Sequence, residues 1–208
     1  MEVIINGKQI PIIIKRKKIK NIYFRIDNNL NFVISAGYFV SEKYIENLIK
    51  KEMKSIEKMY NNALDKIEEE NIFYLLGEKY NIVFDYKSQG VVKDNFIYFK
   101  DENYISKYII KRSKEVFLSR IEAIKINFVD LPEFTFKVRK MTSRWGVCNF
   151  KTNVITLNTE LLKKDVSLID YVIIHEICHF YHHNHSINFW NLVSKHYPYY
   201  KLARKMLK

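Results

Sequence analysis

Apolar and polar positions divide this chain into segments of different period. Over residues 1–40 short β-branched runs alternate with polar residues, which is the pattern of strands. "VIINGKQIPIIIK" holds Asn6-Gly7 between two such runs, the strongest short-range signal for a hairpin. "NIYFRID" and "NLNFVISA" follow as two more strands, turned at Asp27-Asn28-Asn29. The period changes at Ser41, which with Glu42 reads as an N-cap and a first-turn acid. Apolar residues from Tyr44 and Ile45 through Ile49, Ile56 and Tyr60 to Leu64 then predict one long helix to about residue 67. "IFYLLG", "KYNIVFDY", "GVVKD" and "NFIYFK" predict four short strands punctuated by Gly77 and Gly90. A second helix is predicted over about 104–128, stopped by Pro132.

Beyond Pro132, "FTFKVRKM" reads as a strand, "SRWGVC" as a turn and "VITLNTELL" as a strand leading out. "YVIIHEICHF" reads as a helix, and a last helix runs from about Ser186 to the C-terminus. These patterns divide the chain into a β-rich region with one long helix, residues 1–100, and a second domain, residues 101–208. No repeat, low-complexity tract or long linker interrupts them.

Composition narrows the class. At 208 residues and 48% hydrophobic the chain can bury a core, which excludes a disordered protein. Its apolar runs are too short to span a bilayer, and "MEVIINGKQI" lacks the basic start of a signal peptide, so no membrane partner and a cytoplasmic location are expected. Two cysteines, Cys148 and Cys178, make no disulfide framework. The net charge of +12 favours phosphate-rich partners such as nucleic acid or nucleotides. A codon bias toward Lys, Ile, Asn and Tyr produces the same excess, and the basic residues are dispersed rather than blocked into a tail.

The histidines are not dispersed. All six lie between His175 and His196. His175-Glu176-Ile177-Cys178-His179 is an HExxH motif, and on a helix positions i and i+4 share a face, so both imidazoles can reach one Zn²⁺. Glu176 sits one step round the helix, where it can act on a water at the ion without ligating. A catalytic zinc takes three protein ligands, and His185 is the third candidate. It requires the chain to bend in "YHHNHS", where Asn184 tolerates left-handed geometry and Ser186 can cap the next helix. The offset matches the third histidine of the extended metzincin pattern, with His182 in place of its glycine. His182, His183 and His196 are read as non-ligands and Cys178 as core. HExxH is short and arises by chance, so its context has to carry it.

That context lies in Arg144-Trp145-Gly146-Val147-Cys148, Ile155-Thr156-Leu157-Asn158, Ile169-Asp170-Tyr171-Val172, the HExxH itself, and Asn184-His185-Ser186-Ile187-Asn188-Phe189-Trp190. With "YLLGEKYNIVF" upstream and "YPYYKLARKML" downstream, the chain resembles the YgjP-like metallopeptidase family, relatives of SprT-like and other zincin domains. Val147 departs from the serine usual in that family, removing a hydrogen-bonding group beside the site. The resemblance implies an α+β fold with a zincin-like C-terminal half. It implies His175, His179 and His185 as Zn²⁺ ligands and Glu176 as catalytic acid/base. It also implies that "NVITLN" borders the cleft as an edge strand able to pair with a peptide or protein substrate. Arg144 is then a candidate to stabilise the oxyanion or hold a substrate carboxylate or phosphate; the structural alternative is a cation–π contact of Arg144 and Trp145, or an ion pair, with Asp170 a candidate partner. Phe189 and Trp190 are expected in the core beneath the zinc helix. Asn158 is a substrate-binding candidate whose structural alternative is strand-end capping.

Two competing functions remain at this stage. A nucleotide phosphohydrolase would use the same zinc group with Arg139, Lys140 and Arg144 as a phosphate clamp, but no P-loop or Mg²⁺ carboxylate cluster accompanies it. A SprT-like protease acting on DNA-bound proteins would use the basic surface, but no zinc ribbon or helix-turn-helix is evident.

Overall fold

A computed structural model describes residues 2–208; Met1, the start of the predicted strand region, lies outside them. The fold is α+β, and the chain forms two compact units that divide between Asn71 and Ile72. No helix among the described residues is long and apolar enough to cross a membrane.

In the first unit, strands β1 (Glu2–Ile5) and β2 (Lys8–Lys17) form the predicted hairpin. Asn6 and Gly7 take φ of 51° and 76°, the left-handed pair that matches the twist of the strands. Strand β3 (Tyr23–Ile26) turns at Asp27, whose carboxylate accepts from the backbone N–H groups of Asn29 and Asn31, into β4 (Phe32–Gly37). The order is β1-β2-β4-β3, with β2 and β4 parallel. Helices α1 (Glu42–Lys51) and α2 (Met53–Glu70) bury Ile45, Ile49, Ile56 and Tyr60 in the core containing Ile5, Phe32 and Ile34. Ser41 caps α1 as expected, accepting from Tyr44 N. The single long helix of the sequence pattern is broken at Glu52, where ψ is 14°. No proline or glycine marks the break and the 3.6-residue period passes through it, so the pattern cannot reveal it.

The second unit, Ile72–Lys208, opens with strands β5 (Ile72–Leu75), β6 (Glu78–Phe84), β7 (Gln89–Lys93) and β8 (Phe96–Phe99) in the order β5-β6-β8-β7. Helix α3 (Glu102–Lys125) packs Tyr108 edge-on against Phe73 and Phe99. The Leu76 N–H donates to the carbonyl of Leu162, and Leu162 is buried in the same cluster. These contacts correct the boundary after residue 100: strands 72–99 bury their apolar face against elements that follow them, so they share a core with the C-terminal region.

A three-stranded sheet follows, β9 (Thr135–Arg139), β10 (Gly146–Asn149) and β11 (Val154–Asn158), ordered β10-β11-β9. Two expectations are corrected here. The predicted turn "SRWGVC" ends in strand β10, because Gly146–Asn149 pair antiparallel with Asn149↔Val154 through Gly146↔Leu157. "VITLNTELL" is a strand only to Asn158; Thr159–Lys163 form a 3₁₀ helix. Helix α4 (Val166–Cys178) is capped by Asp165 and buried almost all round, with Ile169, Ile173 and Ile177 wholly inside. Arg120 of α3 grips Asp170 of α4 through two bonds of 2.7 Å. The predicted last helix is two, α5 (Ile187–His196) and α6 (Tyr200–Met206), separated at Tyr197 and Pro198, since a proline cannot continue the hydrogen-bond ladder.

Candidate metal centre

The C-terminal turn of α4 carries His175 and Glu176, and His179 is its C-cap in right-handed helical geometry. The chain then reverses. The N–H groups of His179, Phe180 and Tyr181 bond the carbonyls of Glu176, Ile177 and Cys178, tightening the turn, and Ser186 starts α5 by accepting from Phe189 N. Asn184 contributes no left-handed φ to this bend, contrary to expectation; the tightened helix end makes it.

The reversal returns His185 to the other two histidines. The candidate ligand atoms of His175, His179 and His185 lie within 4.8 Å of one another. Nε2 of His175 and Nε2 of His185 are 3.1 Å apart. Two nitrogens at about 2.0–2.1 Å from one tetrahedral ion stand about 3.3 Å apart. His179 bonds the carbonyl of His182 through Nδ1 at 3.2 Å, which leaves Nε2 for an ion. Phe189, fully buried, lies under all three rings at centroid distances of 4.9, 4.6 and 4.8 Å. The donor set and its floor therefore fit a metal ion.

Electrostatics agree with that fit. Burial lowers the pKa of His175 to about 3, helped by His179, His185 and Arg204, so its imidazole stays neutral. Its Nδ1 is buried without a hydrogen-bond partner. Burial likewise lowers His179 and His185. Neutral imidazole is the form that ligates.

Glu176 is buried against β10. Burial raises its carboxyl to about 8, opposed by the backbone N–H of Cys148 and by the Arg144 guanidinium. A cleft of about 270 Å³ opens onto His175 and Glu176 and is also lined by Arg144, Gly146, Tyr171 and Arg204. A larger groove of about 740 Å³, between α3 and the segment leading into β9, holds none of the three histidines.

The remaining predicted residues are placed as follows. Asn158 is 3% exposed, and its side chain is spent on backbone: Oδ1 accepts from Met141 N and Glu160 N, and Nδ2 donates to Met141 O and Arg144 O. It therefore fastens the 141–144 loop and caps the 3₁₀ helix, with no group left to reach a substrate. Asn158→Ala strands four backbone groups, and a loss of about 3 kcal/mol is expected, read by urea unfolding. Arg144 lines the cleft. It has no bond to Asp170, which Arg120 already holds, and the cation over Trp145 is Lys164 at 5.3 Å. The indole of Trp145 instead donates to the Leu207 carbonyl at 2.7 Å. Strand β11 is the centre of its sheet, so the edge strand beside Glu176 is β10, not "NVITLN". Val147 alternates to the face away from Gly146 and Glu176, so the serine it replaces would not point into the site.

His182, His183 and His196 stand outside the triad; His183 stacks on Phe150 and His196 on Phe128. Cys178 is fully buried. Burial pushes the Cys148 thiol up to about 12, which removes it as a nucleophile. Tyr171 and Arg204 lie in stretches that carry the family resemblance, but the sequence gives neither a role at the site. Tyr171 precedes His175 by one helical turn, which puts it on the same helix face; no local spacing relates Arg204 to the histidines.

The family model for the YgjP-like metallopeptidase domain matches residues 20–208. The chain belongs to the YgjP-like metallopeptidase family. Among solved structures it is similar to the metallopeptidase zymogen abylysin of Pyrococcus abyssi, at 23% identity over 44% of this chain and 90% of that one, with a TM-score of 0.41. It is also similar to the zymogen jannalysin of Methanocaldococcus jannaschii, at 26% identity over 38% of this chain and 79% of that one, with a TM-score of 0.35. No curated protein matches. Membership places this YgjP-like chain among the metallopeptidases, and among the described residues the histidine triad is a group that could hold a metal ion.

Proposed function

We propose that this YgjP-like protein is a zincin-type peptidase in which His175, His179 and His185 hold Zn²⁺ and Glu176 is the general base. The convergence of three imidazoles over Phe189 carries the reading. Three imidazole nitrogens, one of them on a residue that lines the cleft, would be the donor set of a catalytic zinc. When bound, the ion supplies Lewis acidity, acidifying water near neutral pH and polarising a peptide carbonyl.

The chain supplies the rest. Glu176, aimed by the Cys148 N–H, takes the proton of the attacking water and delivers it to the departing amine. His182 orients His179 through its carbonyl. Main-chain pairing with an extended substrate falls to β10, the sheet edge at Glu176. Arg144 stands in the cleft, placed to meet negative charge on the substrate or on the tetrahedral oxygen. Of the three residues in the phosphate-clamp alternative only Arg144 lines the cleft, while Lys140 reaches toward Glu160 at 3.9 Å. A cytoplasmic setting is supported by Cys148 and Cys178 both standing as free thiols.

Metal analysis and peptide hydrolysis test this reading together. About one zinc per chain is expected, with cleavage of an unstructured protein such as casein lost to a chelator and restored by zinc. Cleavage that persists after complete metal removal would overturn it.

A further inference from the structure

The cleft beside the metal centre is lopsided in charge. Arg144, Arg204 and Lys208 all line it. Glu176 is the single acidic side chain among the residues that line it. Among the described residues neither guanidinium has a carboxylate partner: Asp170 is taken by Arg120, and Glu160 by Lys163 and Lys140. Surface arginines left unpaired are ordinary; two unpaired guanidiniums converging on one concave site with catalytic groups are not.

Both are also presented by fixed supports. Arg204 lies over Trp190, its Cζ 5.0 Å from the ring centroid. Trp190 in turn lies near-parallel to the rings of Tyr200 and His185. The position of Arg204 is thus coupled to the ring of a metal-ligand candidate. Arg144 is held from behind, since its carbonyl accepts from the Asn158 amide at 2.8 Å. A second groove of about 460 Å³ continues the basic lining past Arg204 along Lys201, Lys205 and Lys208.

We infer that Arg144 and Arg204 form a carboxylate-binding subsite that makes this enzyme selective for peptides bearing a negative group next to the scissile bond. The inference rests on the peptidase reading and adds its substrate class. Planar guanidinium matches carboxylate in a two-pronged bond, and a substrate held so places its neighbouring carbonyl toward the histidines. The carboxylate can belong to an Asp or Glu side chain or to the free C-terminus of a short peptide; the chemistry is the same. Both arginines are solvent-exposed, so screening limits the gain to about tenfold in kcat/KM.

The test compares peptides identical except for Glu, Gln or Ala at each position flanking the cleaved bond, each made with a free and an amidated C-terminus. Zinc-loaded protein is expected to favour a Glu peptide over its Gln partner about tenfold at one position, or a free acid over its amide. Which pair separates identifies the source of the carboxylate. In Arg204→Gln that ratio is expected to fall toward one, with Arg204→Lys retaining part of it. Binding of the same peptides to zinc-loaded Glu176→Gln protein, followed by calorimetry, gives the ratio without turnover. Equal cleavage of acidic and neutral peptides at every position overturns the subsite while leaving the peptidase reading intact. Failure to cleave any peptide overturns both.

Discussion

Glu176→Gln is expected to lower kcat/KM for peptide hydrolysis by about a thousandfold while zinc content stays unchanged. The amide has the same shape and keeps an oxygen for the Cys148 N–H, so the strand and helix need not move. What it loses is the ability to accept a proton from water. Burial is why the site depends on this one group. Glu176 is only 5% exposed, and no second acidic side chain lines the cleft to take the proton in its place. Zinc retention follows because Glu176 is not among the convergent donors. Activity within tenfold of the unaltered protein, at equal zinc content, would remove Glu176 from the mechanism.

Gly146→Ala should be nearly as damaging, although residue 146 carries no chemistry. A Cβ there would stand 2.6 Å from Glu176 Oε1, 2.7 Å from Cγ and 2.9 Å from Cδ. All three are closer than real Cβ contacts, and Glu176 is itself only 5% exposed, so its side chain has to move. The carboxylate must therefore shift and lose its alignment with Cys148 N–H. A drop of about a hundredfold in kcat is expected, with zinc unchanged and about 1–3 kcal/mol lost in unfolding from overpacking. The double variant with Glu176→Gln separates positioning from general damage. If alanine acts by displacing Glu176, adding it to Glu176→Gln costs little further activity. A full additional hundredfold loss in the double variant would show that Gly146 acts elsewhere.

The elements legible in the sequence were those with a local cause. The Asn6-Gly7 hairpin, the Ser41 and Ser186 caps and the apolar helix α4 follow from turn chemistry, capping and periodicity within a few residues. The sequence read less well where nothing local changed. The break at Glu52 falls inside an unbroken helical period, and β10 reads as a turn because the residues that pair with it, Val154–Leu157, lie beyond the intervening bend. The boundary after residue 100 failed for a related reason, since a shared core depends on which faces meet and not on where composition shifts.

The sequence by itself determined the kinds of group available, three histidines and a glutamate at spacings that helical geometry can gather, and with them the metallopeptidase family. Only the tertiary structure decided that Asn158 is spent on backbone, that Asp170 belongs to Arg120 and not Arg144, and that Gly146 abuts Glu176. It alone brought Arg204, 29 positions after His175, into the same cleft. Ligand spacing is set by the 3.6-residue turn and can be counted along the chain; a partner chosen by packing depends on which surfaces exclude water together, and that is decided when the core closes.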